Sequence, residues 1–81
     1  MTAAAPAHGS PHLWSVLPTS EFLKERGFKE YAIHFEDKEY NGEALLWVDK
    51  DDVEGMPIKD TMWQKAFLRM IARLHEEYPE A

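Results

Sequence analysis

Apolar residues recur at helical spacing along most of the chain, and no long segment alternates with a period of two. Phe28, Tyr31 and Phe35 are three and four residues apart, which places their side chains on one face of an α-helix. A longer apolar stripe near the C-terminus comprises Trp63, Phe67, Met70, Ile71 and Leu74. The pattern predicts an all-α protein, a compact five-helix bundle of four short helices and a longer C-terminal helix.

Capping and turn residues divide this pattern into helices. The predicted boundaries are an N-cap at Ser15, a stop at Gly27, a turn at Asn41-Gly42, a stop at Gly55 and an N-cap at Asp60 or Thr61. The predicted core consists of large apolar residues: Trp14, Phe22, Leu23, Phe28, Tyr31, Phe35, Leu45, Leu46, Phe67, Ile71 and Leu74.

The first twelve residues differ in composition from the rest of the chain. Residues 1–12 contain no Lys, Arg, Asp or Glu and are rich in Ala, Pro and His, so we expect a flexible N-terminal tail. They also lack the basic and long apolar regions of a signal peptide. No apolar run approaches the ~18 residues of a membrane span. The expected organisation is a tail at 1–12, one domain at 13–78 and a short end at 79–81.

Charge and cysteine content exclude several classes of function. The 81 residues carry a net charge of −6, which opposes generic binding to nucleic acid or to anionic membranes. The chain has no cysteine, so disulfides and thiolate metal sites are excluded. This composition fits a reducing compartment. We therefore expect an intracellular protein, cytoplasmic or nuclear.

Catalytic and metal sites have little support in the sequence. The acid pair Asp51-Asp52 could serve acid/base chemistry, but no paired nucleophile and base accompanies it. The histidines are His8, His12, His34 and His75, and nothing supplies the four-ligand set of a structural zinc site. A bundle this small can hardly enclose a substrate pocket. We predict no enzyme activity, no small-molecule substrate, no metal and no cofactor.

The order of residues resembles the sterile alpha motif (SAM) domain. The matching positions are Trp14-Ser15, Phe22-Leu23, Gly27-Phe28, Tyr31, Phe35, Gly42, Leu45-Leu46 with Val48, the acids Asp49, Asp51 and Asp52, Val53, Met56 with Ile58, and Phe67, Ile71 and Leu74. The stretch "FEDKEYNGEALLWVDKDDV" also looks like the pointed subgroup of the family, which occurs in some transcription factors. Two positions depart from the family pattern: Pro57, where Gly is usual, and Met62-Trp63-Gln64 at the start of the last helix.

The resemblance implies a protein–protein interaction module that joins a mid-loop surface on one copy to an end-helix surface on the next. The mid-loop surface would comprise Asp37, Glu39, Glu43, Ala44, Trp47, Asp49, Asp51 and Asp52. The end-helix surface would comprise Lys59, Thr61, Met62, Trp63, Lys65 and Arg69. The partner would be another copy, another SAM domain, or both, in scaffolding, signalling or transcriptional regulation.

The distribution of charge agrees with two complementary surfaces. Between Glu36 and Glu54 eight acids and two lysines give a net charge of −6, whereas between Ile58 and Leu74 four bases and one acid give +3. Two different patches that attract each other form a heterologous contact, which extends into a filament when its rotation does not close. Helix-dipole preferences alone would also place acids early and bases late in helices.

The sequence alone does not decide the environment of two tryptophans, and it is compatible with a second function. Trp47 and Trp63 could each be an exposed interface anchor or part of the core, because large aromatic residues occur in both environments. The alternative function is binding of an RNA hairpin through Lys59, Lys65, Arg69 and Arg73 at the last helix, with Trp63 available for stacking.

Overall fold

The computed structural model describes residues 10–79, and every regular element within them is helical. A 3-10 turn, Pro11–Leu13, precedes the α-helices. The helices are α1 (Val16–Glu25), α2 (Lys29–Lys38), α3 (Gly42–Leu46), α4 (Lys50–Glu54) and α5 (Thr61–Glu77). The predicted all-α bundle, with four short helices and one long C-terminal helix, is therefore confirmed. Within residues 10–79, no helix has both the length and the apolar content needed to cross a membrane.

The predicted stop at Gly27 is confirmed by a left-handed turn at the end of α1. Gly27 has φ +87°, a conformation that glycine adopts without steric cost. Its N–H donates to the Lys24 carbonyl at 3.1 Å, and the Phe28 N–H donates to the Leu23 carbonyl at 2.8 Å. This pair of bonds is the Schellman motif, in which two otherwise unpaired helix carbonyls are satisfied. The chain reverses here, and α2 packs against α1.

Side-chain caps fix the starts of α3 and α5 where the sequence predicts them. The Asn41 side chain accepts a hydrogen bond from the Ala44 N–H at 3.0 Å. One Asp60 carboxylate oxygen accepts from the N–H groups of Met62 and Trp63 at 2.9 and 3.2 Å. Ser15 occupies the predicted N-cap position of α1, although its side chain makes no capping bond within residues 10–79. These caps satisfy donors that a helix start leaves unpaired.

The core contains every large apolar residue that the sequence predicts for it. At its centre, the Tyr31 ring stacks on the Phe67 ring with centroids 4.0 Å apart, and Phe28 meets Phe67 edge to face at 5.3 Å. Further residues complete the core: Ala32, Val53, Met56, Ile58 and Met70. Three of these lie in α4 and the following loop, where the helix is too short for a periodic pattern to form.

The described fold begins before the predicted domain start at residue 13. Pro11 is buried in the 3-10 turn, and the turn packs on α3. The Gly42 N–H donates to the Trp14 carbonyl at 3.0 Å, which joins the two segments. The folded part therefore includes Pro11, which the sequence assigned to the tail. Residues 1–9 of the predicted tail, and residues 80–81 of the predicted end, lie outside the described residues.

Candidate functional site

Trp47 projects into solvent from the end of α3. Its side chain is 76% exposed, whereas Leu45 and Leu46 of the same helix are buried. A five-residue helix that fixes two leucines in the core cannot also bury the residue that ends it. The structure therefore places Trp47 on the surface, where large aromatic residues are enriched at the centres of protein interfaces.

A groove of about 460 Å³ lies beside Trp47 and is called the Trp47 groove below. It is lined by side chains from α2, the loop after α2, α3 and α4, among them His34, Lys38, Tyr40, Ala44, Trp47, Asp51 and Asp52. Four residues predicted for the mid-loop surface are thus brought together: Ala44, Trp47, Asp51 and Asp52. The other four, Asp37, Glu39, Glu43 and Asp49, are exposed but do not line the groove.

The sequence reasoning did not include His34, Lys38 and Tyr40 in this surface. His34 and Lys38 are four residues apart on α2, a spacing that places both on one helix face. The His34 ring is half-buried and meets the Tyr40 ring edge to face, with centroids 6.0 Å apart. Tyr40 reaches this position because Glu39 adopts a left-handed conformation, φ 58°, directly after α2. The four-residue spacing of His34 and Lys38 could have indicated that they share a surface. No sequence signal predicted the left-handed turn at Glu39 that positions Tyr40.

Several acids of the middle segment are engaged within the fold. Asp49 and Asp52 form a capping box at the start of α4, in which each side chain accepts from the other residue's N–H, at 2.9 and 3.1 Å. Glu36 accepts hydrogen bonds from Ser20 and from Lys24 of α1, the latter at 3.1 Å, and both lower the pKa of its carboxyl group. The Asp51 carboxylate, in contrast, makes no hydrogen bond or ion pair with residues 10–79. Asp51 is therefore the groove acid most available to a partner.

A basic face runs along the exposed side of α5. Thr61, Lys65 and Arg69 follow at intervals of four residues and are exposed, and Arg73 continues the series. Met62 lies beside them and is 74% exposed. Lys65, Arg69 and Arg73 together with Met62 are called the basic face below. Asp60, directly before Thr61, caps the start of α5 by accepting from the N–H groups of Met62 and Trp63.

Lys59 holds the loop that leads to the basic face. Its Nζ atom donates to the Glu54 carbonyl oxygen at 3.0 Å. That carbonyl belongs to the last turn of α4, where helix carbonyls lack partners within the helix. Lys59 thus stabilises the α4–α5 connection in addition to adding positive charge.

Trp63 lies on a different side of α5 from the basic face. It follows Met62 directly in the sequence, which places it about 100° further around the α-helix. Its ring meets the Phe28 ring edge to face, with centroids 5.6 Å apart, and 46% of the residue remains exposed. Of the predicted end-helix surface, the structure thus brings Thr61, Met62, Lys65 and Arg69 together and turns Trp63 toward α2.

Comparison with known proteins identifies the family. Residues 11–75 match the family model for the SAM domain (sterile alpha motif), which covers most of the chain. The chain belongs to the sterile alpha motif family. SAM domains are generally protein–protein interaction modules and are typically not enzymes. The match is to the family as a whole, so the likeness to the pointed subgroup stays a prediction. No curated protein and no solved structure matches the chain.

The described part of this SAM domain offers no evident metal centre. Among residues 10–79, no group of three or more His, Asp or Glu side chains is arranged to hold an ion. The sequence-based expectation of no cofactor and no metal stays a prediction.

Proposed function

We propose that this SAM domain associates head to tail with another SAM domain, in which the basic face of one domain docks on the Trp47 groove of the next. The observation that supports this most directly is a pair of exposed apolar residues in surroundings of opposite charge. Trp47 lies beside Asp51 and Asp52, and Met62 lies beside Lys65 and Arg69. The partner is a second copy or the SAM domain of another protein, in an intracellular scaffolding or signalling role.

The two surfaces have the composition of a small interface. Interfaces bury an apolar centre and keep charged residues at the rim, where charge steers encounter and orientation. Trp47 and Met62 would supply the apolar centre, and the surrounding carboxylates and cations would supply the rim. Because the two surfaces differ, each docking event leaves one groove and one basic face free. Such a contact continues into a filament unless its rotation closes a ring.

Two substitutions test this arrangement, one on each surface. Asp51→Lys reverses a groove charge that the fold does not use, whereas Asp52→Lys would also break the capping box of α4. Met62→Glu places a charge at the apolar centre of the other surface, where burial without a partner is costly. We expect each variant alone to remain monomeric in sedimentation velocity. Mixed together they should form a heterodimer, because each retains one intact surface.

A matched control separates surface charge from stability. Glu21→Lys reverses an exposed charge on α1, away from both surfaces, and should leave association unchanged. All three variants should melt close to the wild-type temperature, because the substituted residues are exposed. Wild-type protein that stays monomeric at high concentration and low salt would contradict self-association and leave a heterotypic SAM partner. A mixture that fails to pair, where wild type associates, would contradict the two surfaces named here.

RNA binding is the second function that the sequence suggests. The basic face supplies cations along α5, but the net charge of the chain is −6. Phosphate contacts release counterions, so RNA affinity falls steeply with salt. If RNA binds, Lys65→Glu should abolish binding while Asp51→Lys, in the groove, should leave it intact. Either substitution alone should abolish self-association, because head-to-tail contact needs both surfaces. Only Lys65→Glu should abolish RNA binding, so the two variants distinguish the functions.

A further inference from the structure

A second cavity, of about 260 Å³, lies between the first turn of α2 and the start of α5. Phe28, Ile58 and Trp63 give it apolar walls, and Lys29 and Glu30 line it with charged side chains. It shares no lining residue with the Trp47 groove. Its position beside Trp63 also separates it from the basic face, so head-to-tail association does not require it.

The backbone beside this cavity offers unused hydrogen-bond donors. Phe28 is the N-cap of α2 and provides no side-chain capping bond. The first N–H bonded back into the helix is that of Ala32, which donates to the Phe28 carbonyl at 2.9 Å. Within residues 10–79, the N–H groups of Lys29, Glu30 and Tyr31 have no acceptor. Such groups carry the partial positive charge of a helix start.

An independent observation comes from Tyr31, which also lines the cavity. The side chain is 1% exposed, and its hydroxyl has no hydrogen-bond partner among the described residues. Buried polar groups in folded proteins nearly always have a partner, so an unpaired hydroxyl indicates a place for an acceptor. Burial raises the pKa of Tyr31, with further contributions from Asp60 and Glu30, so the hydroxyl remains a donor at neutral pH.

We infer that this cavity binds the C-terminal carboxylate of a peptide whose last residue is apolar. The ligand must accept several hydrogen bonds and also fill a space between Phe28, Ile58 and Trp63. An α-carboxylate is one bond away from the carbon that bears the last side chain, so a single residue can meet both requirements. A carboxylate of Asp or Glu has no apolar group beyond it. Capture of a terminal carboxylate by backbone N–H groups is an established mode of peptide recognition.

The two charged residues of the cavity should act in opposite directions. Lys29 attracts a carboxylate, whereas Glu30, together with Asp60 close to the Tyr31 hydroxyl, repels it. Lys29→Gln should therefore weaken binding, whereas Glu30→Gln should strengthen it. Tyr31→Phe removes only the hydroxyl and should weaken binding by about three- to tenfold, the range for one hydrogen bond. Glu76→Gln, an exposed position on α5 outside the cavity, is the matched control for Glu30→Gln and should have no effect.

Three short acetylated peptides test the inference, with binding followed by NMR at the amides of Lys29, Glu30 and Tyr31. The first ends in leucine with a free carboxylate, the second is its C-terminal amide, and the third is an amide with glutamate before the leucine. We expect the first to bind and to shift these three amides, and the others to bind at least tenfold more weakly. Equal binding of the amide, or no shift at these amides with the first peptide, would overturn the inference.

The test is independent of head-to-tail association. It can be repeated on Met62→Glu protein, whose altered residue does not line the cavity. Peptide binding without self-association would leave this inference standing and remove the homotypic form of the proposed function. Self-association without peptide binding would overturn this inference and leave the proposed function standing. Tyr31→Phe keeps the ring that stacks on Phe67 and removes a buried hydroxyl without a partner among the described residues, so a melting temperature that is unchanged or raised shows that the fold is intact.

Discussion

Gly42 has no room for a side chain. Its N–H donates to the Trp14 carbonyl at 3.0 Å, which draws the backbone of α3 against the 3-10 turn. A Cβ atom built there would overlap the Pro11 carbonyl and lie 2.9 Å from the Trp14 Cβ. The requirement for glycine is steric, because Gly42 does not need a positive φ. One residue thereby determines how closely the N-terminal turn can approach the bundle.

We expect Gly42→Ala to lower the free energy of unfolding by about 1–3 kcal/mol, the usual cost of adding atoms to a packed contact. Gly55→Ala is the matched control. A Cβ there would lie 3.6 and 3.7 Å from the Asp52 and Asp51 carbonyls, which is ordinary contact. That change should be neutral or should stabilise by about 0.4–1 kcal/mol through the unfolded chain. Urea unfolding of both variants measures the difference; equal effects would contradict the steric argument.

Sequence reasoning identified individual residues well where the signal is local. Phe28, Tyr31 and Phe35 were predicted to be buried from their spacing, and they are. Gly42 was predicted as part of a turn, but its contact with Pro11 joins residues 31 positions apart, for which a single sequence contains no signal. Trp47 and Trp63 could not be assigned either, since exposure depends on neighbouring elements. In the structure, Trp47 is exposed, whereas Trp63 packs its ring against Phe28 and remains partly exposed.

At the scale of elements, caps made the helix boundaries predictable. Gly27 and Asp60 act on backbone groups within a few residues of themselves, so their effects can be inferred from composition alone. The 3-10 turn Pro11–Leu13 was missed because its stability comes from packing on α3 rather than from its own sequence. The capping box of Asp49 and Asp52 was also missed. These residues were predicted as interface acids, but they also stabilise the start of α4.

Two deletions distinguish the N-terminal turn from the residues before it. Removing residues 1–9 should leave the melting temperature nearly unchanged, in agreement with the predicted tail. Removing residues 1–12 should lower it by several degrees, because Pro11 is buried and a loss of 1 kcal/mol shifts a domain of this size by about 4–8 °C. Thermal unfolding followed by circular dichroism measures both. An equal loss from the shorter deletion would show that residues 1–9 contribute to the fold.

At the scale of the whole molecule, the proposed surfaces combine elements that are distant in the sequence. The Trp47 groove draws on α2, α3 and α4, and the basic face lies on α5. The sequence predicted the segregation of charge, because it is visible as a count along the chain. It could not predict which acids remain available, since Glu36 contacts α1 and Asp52 caps α4. It also could not separate Trp63 from the basic face, which depends on how α5 packs on α2.

Salt should separate the charged and apolar parts of head-to-tail association. At about 0.1 M salt the screening length is about 10 Å, so exposed charges that steer two domains together are progressively screened above it. We expect wild-type association to weaken between about 0.05 and 0.5 M NaCl, conditions that span this screening range. Asp51→Asn removes one exposed acid and should reduce this dependence. Trp47→Ala should weaken association at every salt concentration while leaving the dependence unchanged, because it removes apolar contact rather than charge. Sedimentation of the three proteins across the series measures both effects, and association that strengthens with salt would exclude a charged rim of the kind proposed here.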